Sequence, residues 1–210
     1  MKRIGKYYRR GRNPKGFWGL RALKSMNGKH HRALPEWALA EVQIPDNATM
    51  LDVGCGGGAN IARLLSKCNG GTVTGLDFAK LAVEVSMDVN NNAIVDRQCT
   101  IVGGNAIQMP LAKDIFDVAT AFETIYYWPS FEVGCSEMFR VIKPGGTVLI
   151  ANERDGLAAE DSDLAREVGG MRIYTPQEIE QALSAAGFTH ITVKNDEQRH
   201  FICVTARKPR

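Results

Sequence analysis

The feature that most constrains this chain is the run Leu51-Asp52-Val53-Gly54-Cys55-Gly56-Gly57-Gly58-Ala59-Asn60. An apolar stretch, Thr49 to Val53, leads into it, and an amphipathic segment, Ile61 to Lys67, leads out. Glycines at such a junction let the chain turn sharply off a strand. They also bring backbone N–H groups against a ligand with no Cβ in the way, beside a helix N-terminus. The second strand, Thr72 to Leu76, ends at Asp77, 23 residues after Gly54. A carboxylate there can accept hydrogen bonds from both hydroxyls of a ribose, so a nucleotide-like cofactor is the natural guest. Gly54-x-Gly56-x-x-Ala59 also satisfies the dinucleotide fingerprint, and these residues alone leave a nicotinamide cofactor open.

Downstream, short apolar runs alternate with longer amphipathic segments. Strands are predicted at Thr49 to Val53, Thr72 to Leu76, Cys99 to Val102, Val118 to Phe122 and Thr147 to Ala151, with helices between most of them. This alternation specifies a parallel sheet with crossover helices on both faces. Thr175-Pro176-Gln177-Glu178 is a helix start, with a Thr cap, proline at the first helical position and glutamate three residues after the cap. Phe188 to Lys194 and His200 to Arg207 then read as two strands joined by a polar turn, an antiparallel hairpin. At 210 residues, 44% apolar and 23% charged, the chain can bury a core of this kind without staples.

Taken together, these residues resemble the class I S-adenosylmethionine-dependent methyltransferases over 49–207. Asp52-x-Gly54-x-Gly56-x-Gly58 has the family's acidic-glycine form, and Gly103-Gly104-Asn105-Ala106 resembles its Gly-Asp-Ala. Met109-Pro110-Leu111 through Phe116-Asp117-Val118 resembles its entry to the fourth strand, and Val141-Ile142-Lys143-Pro144-Gly145-Gly146 its turn into the fifth. The resemblance implies a Rossmann-like, doubly wound, seven-stranded α/β sheet, parallel with one antiparallel C-terminal strand. It further implies an enzyme using S-adenosyl-L-methionine. Gly54, Cys55, Gly56 and Gly58 would approach the methionine part, with Asp52 holding its amino group directly or through water. Asp77 would bind the ribose and Phe78 would pack on the adenine. Asn105, where the family usually has Asp, would accept from the adenine amino group, and the Ala106 N–H would meet the ring. Phe122 and Glu123 would lie beside the methionine and sulfonium.

The acceptor is less constrained. Tyr126 and Tyr127, in Glu123-Thr124-Ile125-Tyr126-Tyr127-Trp128-Pro129, could shape its pocket, and His31 could act as a base or hold the methionyl carboxylate; these three are the catalytic candidates. The fourth strand is followed by neither Asn/Asp-Pro-Pro-Tyr/Phe nor Pro-Cys, which argues against amino-methylation of nucleic-acid bases and cytosine C5 methylation. Glu123, Asn152 and Glu153 only superficially offer metal ligands, so no metal is expected. The segment 153–174 is a short insertion whose end resembles the family's acceptor lining. Its small size points to a small-molecule acceptor; RNA or protein is the alternative.

Charge divides the chain in two. Eleven of its 26 cations lie in residues 1–32, before the first acid, Glu36, and the remainder carries −8. Two short helices are predicted there, around 17–23 and 33–40. Residues 1–45 thus form a basic helical arm on a methyltransferase domain of 46–210. It is a self-docking segment, a polyanion-binding arm or a lid over the active site, and the thinness of the insertion favours the lid. The five cysteines form no CxxC and suit buried thiols in a reducing compartment. No apolar h-region precedes the basic segment, and no membrane partner is expected; the cytoplasm is the expected location. Oligomeric state is not legible.

Overall fold

The computed structural model describes residues 2–210. Its centre is a seven-stranded sheet in the order β3-β2-β1-β4-β5-β7-β6. The strands are β1 (Thr49–Val53), β2 (Thr72–Asp77), β3 (Cys99–Gly103), β4 (Phe116–Phe122), β5 (Ile142–Asn152), β6 (Thr189–Asp196) and β7 (Phe201–Arg207). Pairings from β3 through to β5 are parallel, and β7 runs antiparallel to both β5 and β6. The architecture is the one the resemblance implies, including the single antiparallel strand.

The central strands are buried on both faces and therefore read as nearly unbroken apolar runs. All but the second residue of β4 is buried, and β1 is exposed only in part at Thr49. On one face α7 (Phe131–Val141) and α9 (Pro176–Ala185) lay down Phe131, Met138, Ile179 and Leu183; on the other α4 (Ala59–Ser66) lays down Ile61 and Leu64. The predicted start of α9 is realised as a full capping box, in which Thr175 Oγ1 accepts from the Glu178 N–H and the Glu178 carboxylate accepts from the Thr175 N–H. β5 begins five residues earlier than the apolar pattern suggests, because its glycine-rich start still pairs: Phe116 opposes Ile142 before the register shifts.

The basic segment is more structured than its sequence shows. It holds α1 (Lys2–Arg12), α2 (Gly16–Met26) and α3 (Ala33–Ala38), of which α1 was not predicted. Its composition, cationic with no acid in the first turn, hides the helix from an apolar-periodicity reading. The docking chemistry explains part of the charge. The insertion carries α8 (Ala159–Val168), and Arg9 and Arg12 of α1 donate to the Glu167 and Gly169 carbonyls at its C-terminal end, at 2.6 and 3.2 Å. Cations at the negative pole of a helix dipole are favourable. Arg10 lies 4.8 Å from the ring centre of Trp18. α2 buries Leu23 against Ala79, Ala82 and Val85 at α5 (Lys80–Val89), while α3 buries Leu34 and Ala38 in the core on the α4 face.

Thr175→Ala removes the side-chain half of the capping box and is expected to cost about 1 kcal/mol of stability. Urea unfolding measures it; an unchanged midpoint would contradict the role assigned to the cap.

Candidate functional site

The strand order reverses between β1 and β4, and in open α/β sheets the crevice outside the strand ends at such a point is where ligands sit. The glycine loop leaves β1 on one side of it, and Glu123-Thr124 leaves β4 on the other. Gly54 has φ of 74°, and a Cβ built there would stand 2.0 Å from Thr124 Oγ1, so only glycine lets the two strand ends approach. At Gly56, φ is 54° and a Cβ would meet nothing within 4 Å: this peptide faces open space.

Asp77 fixes the loop. Its Oδ2 accepts from the Gly56 N–H at 2.9 Å and its Oδ1 from the Ala79 N–H at 2.8 Å, leaving each oxygen a further lone pair. Burial raises its pKa, and these backbone bonds draw it back. Beside it Phe78 is 53% exposed, large for an aromatic ring in a cavity wall.

Two cavities meet over the loop. The larger, of about 400 Å³, is lined by Gly54, Gly56, Asp77, Phe78, Asn105 and Ala106 from the sheet, by Thr124, Tyr127 and Trp128 after β4, and by Arg12, Asn13, Leu23 and Met26 from the N-terminal segment. That volume lies in the range of small-molecule and cofactor sites. The smaller, of about 80 Å³, is lined by Asn27, His31, Cys55, Asn60, Arg63 and Glu153, among others. Arg63 donates through Nη1 to Asn60 Oδ1 at 2.6 Å, while its buried Nε has no partner among the described residues. His31 Nδ1 stands 3.6 Å from Glu153 Oε1. Asn27 Nδ2 donates to the Gly57 carbonyl at 2.8 Å, tying the N-terminal segment directly to the glycine loop.

The structure thus gathers Gly54, Cys55, Gly56, Asp77, Phe78, Asn105, Ala106, Phe122, Glu123, Tyr127 and His31 around this space. Three candidates are not brought to its wall. Gly58 caps α4 from below, where a Cβ would strike Ser86 and Asn90 at 2.4 Å. Tyr126 is turned inward: its buried hydroxyl donates to Glu123 Oε1 at 3.0 Å and accepts from the Arg154 N–H at 3.2 Å. Asp52 lies beneath the loop, where Oδ1 accepts from Thr120 Oγ1 at 2.9 Å and Oδ2 has no partner. Tyr127 donates to the Tyr8 carbonyl at 3.0 Å, so its phenol is engaged with α1. The residues missed from sequence are Arg12, Asn13, Leu23, Met26 and Arg63. Nothing in the local pattern marks the first four, which meet the sheet only after the arm has folded back, and Arg63 reads as an ordinary cation of α4.

Residues 51–150 match a family of methyltransferase domains. The chain is 30% identical over 165 residues to methyltransferase phqN of Penicillium fellutanum, covering 72% of this chain and 49% of that one. It is 29% identical over 162 residues to sterol 24-C-methyltransferase of Kluyveromyces lactis, covering 73% and 43%. The chain therefore spans about half the length of these curated relatives. Among solved structures, phosphoethanolamine N-methyltransferase 2 of Haemonchus contortus with S-adenosyl-L-methionine superposes with a TM-score of 0.77 at 18% identity, covering 91% and 57%. An S-adenosylmethionine-dependent methyltransferase of Aquifex aeolicus gives 0.74 at 19%, covering 89% and 97%. Residues 51–150 thus match a methyltransferase domain, on the fold that these solved methyltransferases share.

The residues present fit S-adenosylmethionine: a peptide open at Gly56, an acid with spare lone pairs, an uncovered aromatic ring and the Arg63 side chain on the smaller cavity's wall. Burial, above all, pushes the Asp52 carboxyl up to about 7. The folded protein therefore holds a proton that the unfolded chain gives up near pH 4, and stability falls as pH rises from about 4 to about 7. Asp52→Asn removes this titration. The variant is expected to gain on the wild type by a few kcal/mol across that window and to stay parallel with it above. Denaturant unfolding at pH 5 and pH 8 measures the difference; an equal gap at both would contradict the assignment.

Proposed function

We propose that this protein methylates a small organic acceptor, with S-adenosylmethionine as the donor. The observation that carries the reading is the composite wall of the larger cavity: Arg12, Asn13, Leu23 and Met26 close it from the N-terminal side against the cofactor motifs. An acceptor that reaches the donor must fit beneath this cover, which favours a small molecule over a docked macromolecule. The name of the sterol relative and that of the phosphoethanolamine enzyme are consistent with it, since sterols and phosphoethanolamine are small molecules. The basic arm gives little support to a polyanion, because Arg9 and Arg12 are spent on the end of α8 and Arg10 on Trp18.

In this reading Asp77 holds the ribose hydroxyls, and Phe78, Asn105 and Ala106 hold the adenine. The smaller cavity takes the amino-acid end, with Arg63 on its wall to meet the carboxylate and His31 and Asn27 nearby. The cofactor supplies an electrophilic methyl group on a positive sulfur. The protein's task is then mainly alignment, an effect of the order of 7–11 kcal/mol. Tyr127 and Trp128 form the acceptor rim, with the indole N–H donating to Thr124 Oγ1 at 3.3 Å. Residues 1–45 act as the lid. Among the described residues no helix is long and apolar enough to cross a membrane, and the cytoplasm is the location proposed.

The test is to incubate the protein with methyl-labelled S-adenosylmethionine and a cell extract, then to separate the extract by size and by nuclease and protease sensitivity. Label in the small-molecule fraction is expected. Label recovered in RNA or protein would overturn the reading in favour of a macromolecular acceptor.

A further inference from the structure

Phe17 and Trp18 of α2 stand side by side in water, 70% and 56% exposed. From sequence they read as part of an apolar helix stripe. In the fold the stripe that packs is Gly19, Ala22 and Leu23, with Leu23 held against Ala79, Ala82 and Val85 of the adjoining α5 segment. Residues three and four apart share a helix face, so Phe17, Arg21 and Lys24 form one exposed row and Trp18, Arg21 and Ser25 the next. The inner face of α2 is already taken, and its two largest side chains are turned the other way. Moving such rings from water into an apolar medium is favourable, and the chain itself offers this outer arc no such medium.

The charge around the arc has one sign. Lys15, Arg21 and Lys24 are exposed, and none is ion-paired among the described residues. Arg10 adds a further cation, 4.8 Å from the Trp18 ring centre. The first acid of the chain is Glu36, and residues 33–210 carry −8. A negatively charged surface therefore attracts this face and repels much of the rest, which sets an orientation as well as an attraction. Aromatic rings beside lysine and arginine on one helix suit the boundary between lipid headgroups and acyl chains, where the rings enter and the long cationic side chains reach the headgroups. We propose that the outer face of α2 docks on an anionic lipid surface, with Phe17 and Trp18 entering the headgroup boundary and Arg21 and Lys24 meeting the lipid phosphates and carboxylates.

Such a helix lies in the plane of the interface, so the proposal needs no spanning segment, and no helix among the described residues is long and apolar enough to be one. The arrangement suits a lipid surface better than RNA. Phe17 and Trp18 meet edge to face, centroids 5.4 Å apart at 77°, and Arg10 lies over the indole, so the pair offers apolar bulk more than open ring faces for stacked bases.

The test is co-sedimentation of the full chain with vesicles, of phosphatidylcholine alone and of equal parts phosphatidylcholine and phosphatidylserine. The wild type is expected to bind the mixed vesicles, more weakly as salt rises, and to leave phosphatidylcholine largely unbound. Arg21→Gln with Lys24→Gln is expected to weaken that binding about 25-fold, from about fivefold per cation at such a surface. Phe17→Ser with Trp18→Ser is expected to weaken it about tenfold or more at unchanged charge. Thermal melting checks that the variants fold; should the aromatic pair not fold, Phe17→Ser alone, which leaves the Arg10 contact in place, is used instead. No binding of the wild type to the mixed vesicles, equal binding to both vesicle types, or full binding by the aromatic variant would overturn the proposal. So would a different occupant of the face: RNA retention, or self-association in sedimentation velocity, that these substitutions abolish while the vesicles stay unbound.

Discussion

The site depends on the bond between the Asp77 carboxylate and the Gly56 N–H. With the Gly54 and Cys55 N–H groups, which both donate to the Leu76 carbonyl, it ties the glycine loop to the end of β2. The consequences spread outward from it. The loop is held against β4 closely enough that Gly54 admits no side chain beside Thr124, and the Gly56 peptide is left facing the crevice. Asn27 then reaches the far side of the same loop at Gly57, so the N-terminal segment is registered on the sheet through the cofactor motif itself. The acid proposed to hold the ribose hydroxyls thus also shapes the loop beside it.

Around that fixed point the cations of the N-terminal segment have a structural explanation. The opposition of a basic arm to an acidic remainder suggests attraction to something outside the chain. Three of the arm's eleven cations are engaged inside: Arg9 and Arg12 cap the carbonyl end of α8, and the Arg10 guanidinium covers the Trp18 indole. The segment is the second wall of the cavity, and the insertion with α8 is the platform on which that wall stands.

The sheet was legible because its cause is local: buried parallel strands are apolar runs, and the turn residues between them are few and specific. The start of α9 was legible to the residue, as Thr175, Pro176 and Glu178 each do one capping job. α1 was not, since Ile4, Tyr7 and Tyr8 are a short set at helical spacing among six cations, with no acid in the first turn. Within the site, residues on strand ends were found and those supplied from a distance, such as Leu23 and Met26, were not. Tyr126 and Tyr127 show the limit of spacing arguments. Adjacent in sequence on a single helical turn, they point to different partners: one is buried on Glu123, the other bonded to α1.

The account's central claim is that this crevice is a seat for S-adenosylmethionine's nucleoside, although its glycine pattern also satisfies the dinucleotide fingerprint. Titrating the intact protein with S-adenosylhomocysteine and, separately, with NAD puts that claim to the test. Saturable binding of S-adenosylhomocysteine and none of NAD is the result the account predicts. Tight binding of NAD with no response to S-adenosylhomocysteine would contradict it.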